Sequence, residues 1–184
     1  MNVNITLEWT PNPSTLKYVV DRPLLPKGAL NITSAEAAKR KSPLAEKLFA
    51  LKGVTGVMLG PTFVTITKGE EGDWDDLDEQ VRDTLDGHLT PDAVVVHPDA
   101  LAPATVASGG AVEDRIRAIL DDEIRPSVML DGGDITLERF EDGVVYLALK
   151  GSCNGCPSST MTLKMGIETR LREAIPEVDQ VVSL

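Results

Sequence analysis

The sequence predicts an α/β (α+β) chain, two small mixed α/β domains joined by a linker rich in proline, alanine and glycine. Three observations lead there. Some stretches alternate apolar and polar residues as half-buried strands do, and others repeat apolar residues every three or four positions as helices do. One segment near the middle of the 184 residues has neither period and collects prolines and small residues. These place a first domain at residues 1–90, a linker at 91–109 and a second domain at 110–184.

In the first domain "VNITLEW" puts Val3, Ile5, Leu7 and Trp9 on one face of a strand. "TPNPSTLKYVV" follows with a turn at Asn12, bracketed by prolines, that leads back into apolar residues. "SPLAEKLFAL" reads as a helix. Ser42 is placed to cap it, Pro43 to sit at its first position, and Leu44, Leu48 and Leu51 form its stripe. "GVTGVMLGPTFVTITKG" gives two strands broken at Gly60-Pro61. In "DWDDLDEQVRDTLDGHL" Asp73 is the candidate N-cap, Asp75 and Asp76 complement the helix dipole, and Leu77, Val81, Leu85 and Leu89 make one apolar face. Trp9 and Trp74 read as packing residues of the core or its rim.

The linker segment "TPDAVVVHPDALAPATVASGG" contains "AVVVH", which reads as one more strand of the first domain. In the second domain Val112, Ile116, Ile119, Leu120 and Ile124 form a helical stripe supported by Glu113–Arg117 and Asp121–Arg125 at i,i+4, and Pro126 is expected to end the helix. "SVMLDGGDITLERFEDGVVYLALKG" then supplies strands on either side of Asp142-Gly143, a strong hairpin signal, with Gly132-Gly133 as a turn needing positive φ. A helix over 158–175 and a closing strand, "VDQVVSL", complete the chain.

Composition narrows the function classes. Hydrophobic residues are 42 % and charged residues 26 %, a globular balance. No apolar run approaches the roughly eighteen residues of a membrane span, so no membrane is expected. The N-terminal residues show no secretory or transit pattern, so a cytoplasmic protein is expected. The formal net charge is -11, shared by both halves, and such a field repels phosphate backbones, so no nucleic-acid partner is expected.

The two cysteines, Cys153 and Cys156, are separated by two residues in "LKGSCNGCPSSTMTLK". Cys153 follows an apolar strand and Gly151, while Cys156 precedes Pro157 and a helix start that Ser158 and Ser159 can cap. Backbone N–H groups at such a helix start favour thiolate forms. An inert pair, a thioredoxin-like dithiol and a metal site all remain open. A structural zinc or an iron–sulfur cluster usually takes four protein ligands, and His88 and His97 read as solvated loop residues rather than donors. Two chains related by a twofold axis would complete a Cys₄ set and also support a second domain with a small core.

The stretch "RPSVMLDGGDITLERFEDGVVYLALKGSCNGCPSSTMTLKMGIETRLREAIPEV" resembles the C-terminal NifU-type domain of Nfu-like iron–sulfur proteins. The resemblance rests on the "DGGDI" turn, the "LKGSCNGCPSS" loop and the "IPEV" exit from the last helix. "TPNPSTLKYV", "SPLAEKLFALKGVTGVMLGPTFVTITK" and the following "DW" resemble the separate N-terminal domain of the same family. Only the linker falls outside the resemblance. It implies a scaffold or carrier, not an enzyme, that binds a [4Fe–4S] cluster between two subunits through Cys153 and Cys156 of each. It further implies a cluster-loaded homodimer, apo iron–sulfur proteins as recipients and an upstream assembly scaffold as a possible donor. Lys150 and Lys164 flank the loop and could offset the cluster's charge. A thiol–disulfide oxidoreductase and a zinc-stabilised interaction module are the alternatives.

Overall fold

The computed structural model describes residues 3–101, 110–155 and 157–184, with residues 157–159 described by their backbone alone. The chain divides into two compact units, Met1–Ala102 and Pro103–Leu184. Both mix helices with a sheet, as the patterning predicts. Among the described residues no helix is long and apolar enough to cross a membrane.

The first unit contains β1 (Ile5–Trp9), β2 (Thr15–Val20), β3 (Leu30–Ile32), α1 (Ala35–Lys41), α2 (Pro43–Phe49), β4 (Val54–Leu59), β5 (Phe63–Lys68) and α3 (Trp74–His88). Its five strands form an antiparallel sheet in the order β1-β2-β5-β4-β3. Leu44 and Leu48 of α2 and Leu77, Val81 and Leu85 of α3 are buried with Leu16, Tyr18, Val64 and Ile66 of the sheet in one core. The expected stripes therefore face inward. β3 and α1 go beyond what the patterning predicts, because residues 21–41 show too little apolar periodicity. α1 starts at Ser34, whose side chain accepts from Ala37 N–H.

Ser42 joins two elements. It is fully buried, it caps α2 by accepting from Ala45 N–H at 3.0 Å, and its hydroxyl donates to Val95 C=O at 2.5 Å. That second bond fastens the segment after α3 to the core, where Val96 is buried and His97 N–H donates to Lys41 C=O. "AVVVH" is thus not a strand. Its backbone answers to a hydroxyl and a helix end rather than to a ladder. Residues 102–109, the last part of the expected linker, lie outside the described residues.

The second unit runs through α4 (Ala111–Ile119), a π-helical turn (Leu120–Ile124), α5 (Arg125–Leu130), β6 (Gly133–Glu141), β7 (Val144–Gly151), α6 (Pro157–Ala174) and β8 (Gln180–Ser183). Pro126 does not end the helix. The preceding turn widens so that Arg125 N–H reaches back to Leu120 C=O, and Pro126 sits in the first turn of α5, where its missing N–H is no loss. "SVML" is consequently helical, and the strand begins at Gly133. Asp142 and Gly143 both have positive φ, 48° and 79°, as a tight hairpin turn requires.

β8 lies parallel to β7, so α6 is the crossover of a β-α-β unit, and the sheet order is β6-β7-β8. Each edge strand has an N–H taken by a glutamate from a helix: Phe140 by Glu113 at 3.1 Å and Val181 by Glu168 at 3.0 Å. The core joins Ile116 and Leu120 to Ile135, Val145 and Leu147 and to Ile167 and Leu171.

Replacing Ser42 by Ala removes a cap and a buried hydrogen bond, a loss of about 2 kcal/mol. Both tryptophans lie in the first unit. Urea unfolding followed by their fluorescence should show a lower midpoint, and an unchanged midpoint would contradict the double role.

Candidate functional site

The site is built where β7 leaves the sheet. Its inward residues Val145, Leu147 and Leu149 carry the strand into the core, and Gly151 ends it with φ 62°. The next turn is held against the loop between α5 and β6. Ser152 N–H donates to Gly132 C=O at 3.2 Å, and the Ser152 hydroxyl donates to Asp131 C=O. Asn154 N–H returns to Gly151 C=O at 3.1 Å, and Gly155 turns the chain with φ 77°.

This folding buries Cys153, which is 6 % exposed and belongs to the second core. Its sulfur lies against Gly133. A Cβ on Gly133 would stand 2.4 Å from Cys153 Sγ and 3.1 Å from the Lys150 carbonyl. Gly132 has a positive φ of 75°, as the sequence predicts, and Gly133 is not among the residues with positive φ. The two glycines therefore serve two purposes and do not share one turn. Gly132 turns the chain and Gly133 makes room for sulfur.

Beside that contact is an ionic pair that the sequence does not announce. Asp134 is 3 % exposed and accepts from Arg125 Nε at 2.9 Å. Arg125 also donates to Ile135 C=O at 2.8 Å and pairs with Asp121 at 2.6 Å. One guanidinium thereby fixes the start of β6, and with it Gly133, to α5 and the π-helical turn. Burial pushes the Asp134 carboxyl above its ordinary value, and Arg125 opposes the shift. The i,i+4 pattern reveals Asp121–Arg125, but nothing local signals that Asp134 shares the same arginine.

Of the residues predicted for the site, Cys153 is brought together with the Gly132-Gly133 turn. Cys156 lies outside the described residues, as do the side chains of Ser158 and Ser159. Lys150 is the cross-strand neighbour of Asp134, and its charge acts on that carboxylate. Lys164 lines a groove beside Gly155 with the exposed Met161 and Met165. His88 and His97 belong to the first unit, where His88 Nε2 lies 3.1 Å from Val94 C=O. Among the described residues no group of three or more His, Cys, Asp or Glu could hold a metal ion.

Comparison with known proteins gives a consistent likeness. The family model described as NifU-like domain matches residues 116–182, and that described as scaffold protein Nfu/NifU N terminal matches residues 5–92. A human protein named NFU1 iron-sulfur cluster scaffold homolog, mitochondrial, is 41 % identical over 179 residues, covering 96 % of this chain and 70 % of that protein. The protein of the same name from Drosophila virilis is 38 % identical over 180 residues, covering 96 % of this chain and 60 % of that protein. The chain thus spans between three-fifths and seven-tenths of these two relatives. A solution NMR structure of a NifU-like protein from Saccharomyces cerevisiae superposes with a TM-score of 0.47 at 23 % identity, over 53 % of this chain and 87 % of that one. The cytoplasmic expectation is overturned by the relatives' names, which call those proteins mitochondrial. That expectation rested on the lack of a leader pattern, which carries no information about compartment.

Gly133→Ala must displace the Cys153 sulfur or the Lys150 carbonyl, at a cost of roughly 1–3 kcal/mol. In a Cys156→Ser background the remaining thiol should react faster with a disulfide reagent, and an unchanged rate would contradict the packing described. Asp134 has a folded pKa raised from 3.8. Its contribution is therefore fully present below that value and lost as pH rises through the folded pKa. Melting curves across the acid range should show the stability of the parent relative to Asp134→Asn falling as pH rises.

Proposed function

The chain belongs to the Nfu family of iron–sulfur cluster scaffold proteins, and we propose that it holds a [4Fe–4S] cluster between two subunits, through Cys153 and Cys156 of each, and passes it to apo-proteins. A scaffold role, not an enzymatic one, is what the family's names describe. The observation that supports the finer reading is the seating of Cys153. Its sulfur is held on a glycine backbone at the exit of a strand, with a second cysteine three residues on in the sequence and a helix beginning at Pro157. The described part of this loop offers one sulfur and the sequence one more, so a four-thiolate set needs a second copy.

In this reading the cluster is cargo. Release proceeds by exchange at each iron, an incoming thiolate of the recipient forming its iron–sulfur bond as a thiolate of this chain leaves. The recipient thiol gives up its proton beforehand and the departing thiolate takes one up afterwards, so no electrons are transferred. A site shared across an interface suits delivery, because separating the subunits exposes the cluster to competing ligands. The natural recipients are apo iron–sulfur proteins, and an upstream assembly scaffold is the natural donor.

The test is anaerobic reconstitution with iron and sulfide, read by native mass spectrometry and visible absorbance. The expected species is a dimer with about four iron atoms, which disappears in Cys153→Ala and in Cys156→Ala. A monomer holding a complete cluster, or a Cys153→Ala protein holding it equally well, would overturn the proposal.

A further inference from the structure

We propose that the first unit carries a docking site for an arginine side chain of a partner protein, formed by Trp9, Trp74 and Asp75. These residues line a cavity of about 240 Å³ together with Leu7, Leu16 and Asp78. The chain has two tryptophans, and both are here. Trp9 ends the edge strand β1, opposite Leu16, and is 78 % exposed, whereas Ile5 and Leu7 of the same strand pack on the core. Alternation along the strand makes Trp9 a packing residue. The structure instead leaves it at the surface beside a second indole, and both indoles border the same hollow.

One wall of that hollow is fixed. Trp74 Nε1–H donates to Pro13 C=O at 3.0 Å, which ties the first turn of α3 to the "TPNPS" turn between β1 and β2. The turn is braced in its own right. Thr10 donates to Thr15 C=O at 3.0 Å, Ser14 N–H to Asn12 Oδ1 at 3.0 Å, and Lys68 N–H to Ser14 C=O at 2.9 Å. A wall formed in advance spares a ligand the cost of ordering it. The proline-flanked turn thereby seats one side of the cavity.

Charge selects the occupant. The segment 70–86, "EEGDWDDLDEQVRDTLD", contains one base, Arg82, among its many acids. Arg82 is already spent on Asp78, with Nε at 3.0 and 3.1 Å from its two carboxylate oxygens. Asp75, exposed in the first turn of α3, is left to face solvent at the cavity rim. A volume of about 240 Å³ is below the ~300–1,000 Å³ of small-molecule sites and suits one long side chain. Indole faces attract cations, and a planar guanidinium can stack flat on an indole while its fork engages a carboxylate bidentately, a geometry an ammonium lacks. The wider acidic field favours a partner whose arginine lies in a basic segment. The site is independent of the cysteine loop, which belongs to the other unit.

The experiment titrates the full chain with hexa-arginine peptide at physiological salt. Intrinsic fluorescence and calorimetry give the readout, and both tryptophans report on this cavity alone. Hexa-arginine should change the emission and bind. Trp9→Ala should weaken binding about tenfold, Asp75→Asn severalfold, and Glu141→Gln, which lines no part of this cavity, not at all. Hexalysine should bind more weakly than hexa-arginine. The proposal is overturned if emission does not change, if Trp9→Ala binds as tightly as the parent, or if hexalysine matches hexa-arginine. Since Trp9 is exposed, its removal should leave the melting temperature unchanged; if it does not, Asp75→Asn decides.

Discussion

Gly133 and Gly151 face each other at the last pair of the β6–β7 ladder, and the Cys153 sulfur occupies the space that a side chain on Gly133 would fill. This close approach constrains much of the second unit. It requires β6 to begin at that residue, the helical run before it to stop one turn earlier, and β7 to end on a residue able to take positive φ. The Ser152 N–H bond to Gly132 and its hydroxyl bond to Asp131 hold the turn that carries the sulfur. Most of the Cys153 surface is inside, so packing sets the orientation of its side chain.

Arg125 supplies the counterweight. A carboxylate as buried as Asp134 is costly to keep charged, and one guanidinium shared with Asp121 and the Ile135 carbonyl offsets part of that cost. The π-helical turn places this arginine. By widening just before Pro126 it lets the helical run continue and brings the side chain at 125 over the start of β6. In a unit with a single small core, such a polar clamp gives geometry where apolar area is limited.

Features decided within a few residues are legible in the sequence. Ser42 and Asp73 cap the helices they precede, Asp142-Gly143 makes the hairpin turn, and the leucines of α2 and α3 face inward because their spacing allows nothing else. Cys153 can be singled out for the same reason. What escapes is non-local. Pro126 looks like a stop because the turn that accommodates it depends on a hydrogen bond five residues back. Gly133 looks like a second turn glycine because its real neighbour, the Cys153 sulfur, comes twenty residues later in the chain. Trp9 looks like a packing residue of the core or its rim because alternation reports which face a residue lies on, not whether anything covers that end of the strand.

The glutamates at the two edges of the second sheet bear on how copies of this chain can meet. Open edges invite another strand, and the usual result is an extended, indefinitely growing sheet. With Glu113 holding an N–H of β6 and Glu168 one of β8, neither edge offers a clean row of donors to a neighbour. Self-association by strand addition is thereby discouraged on both sides.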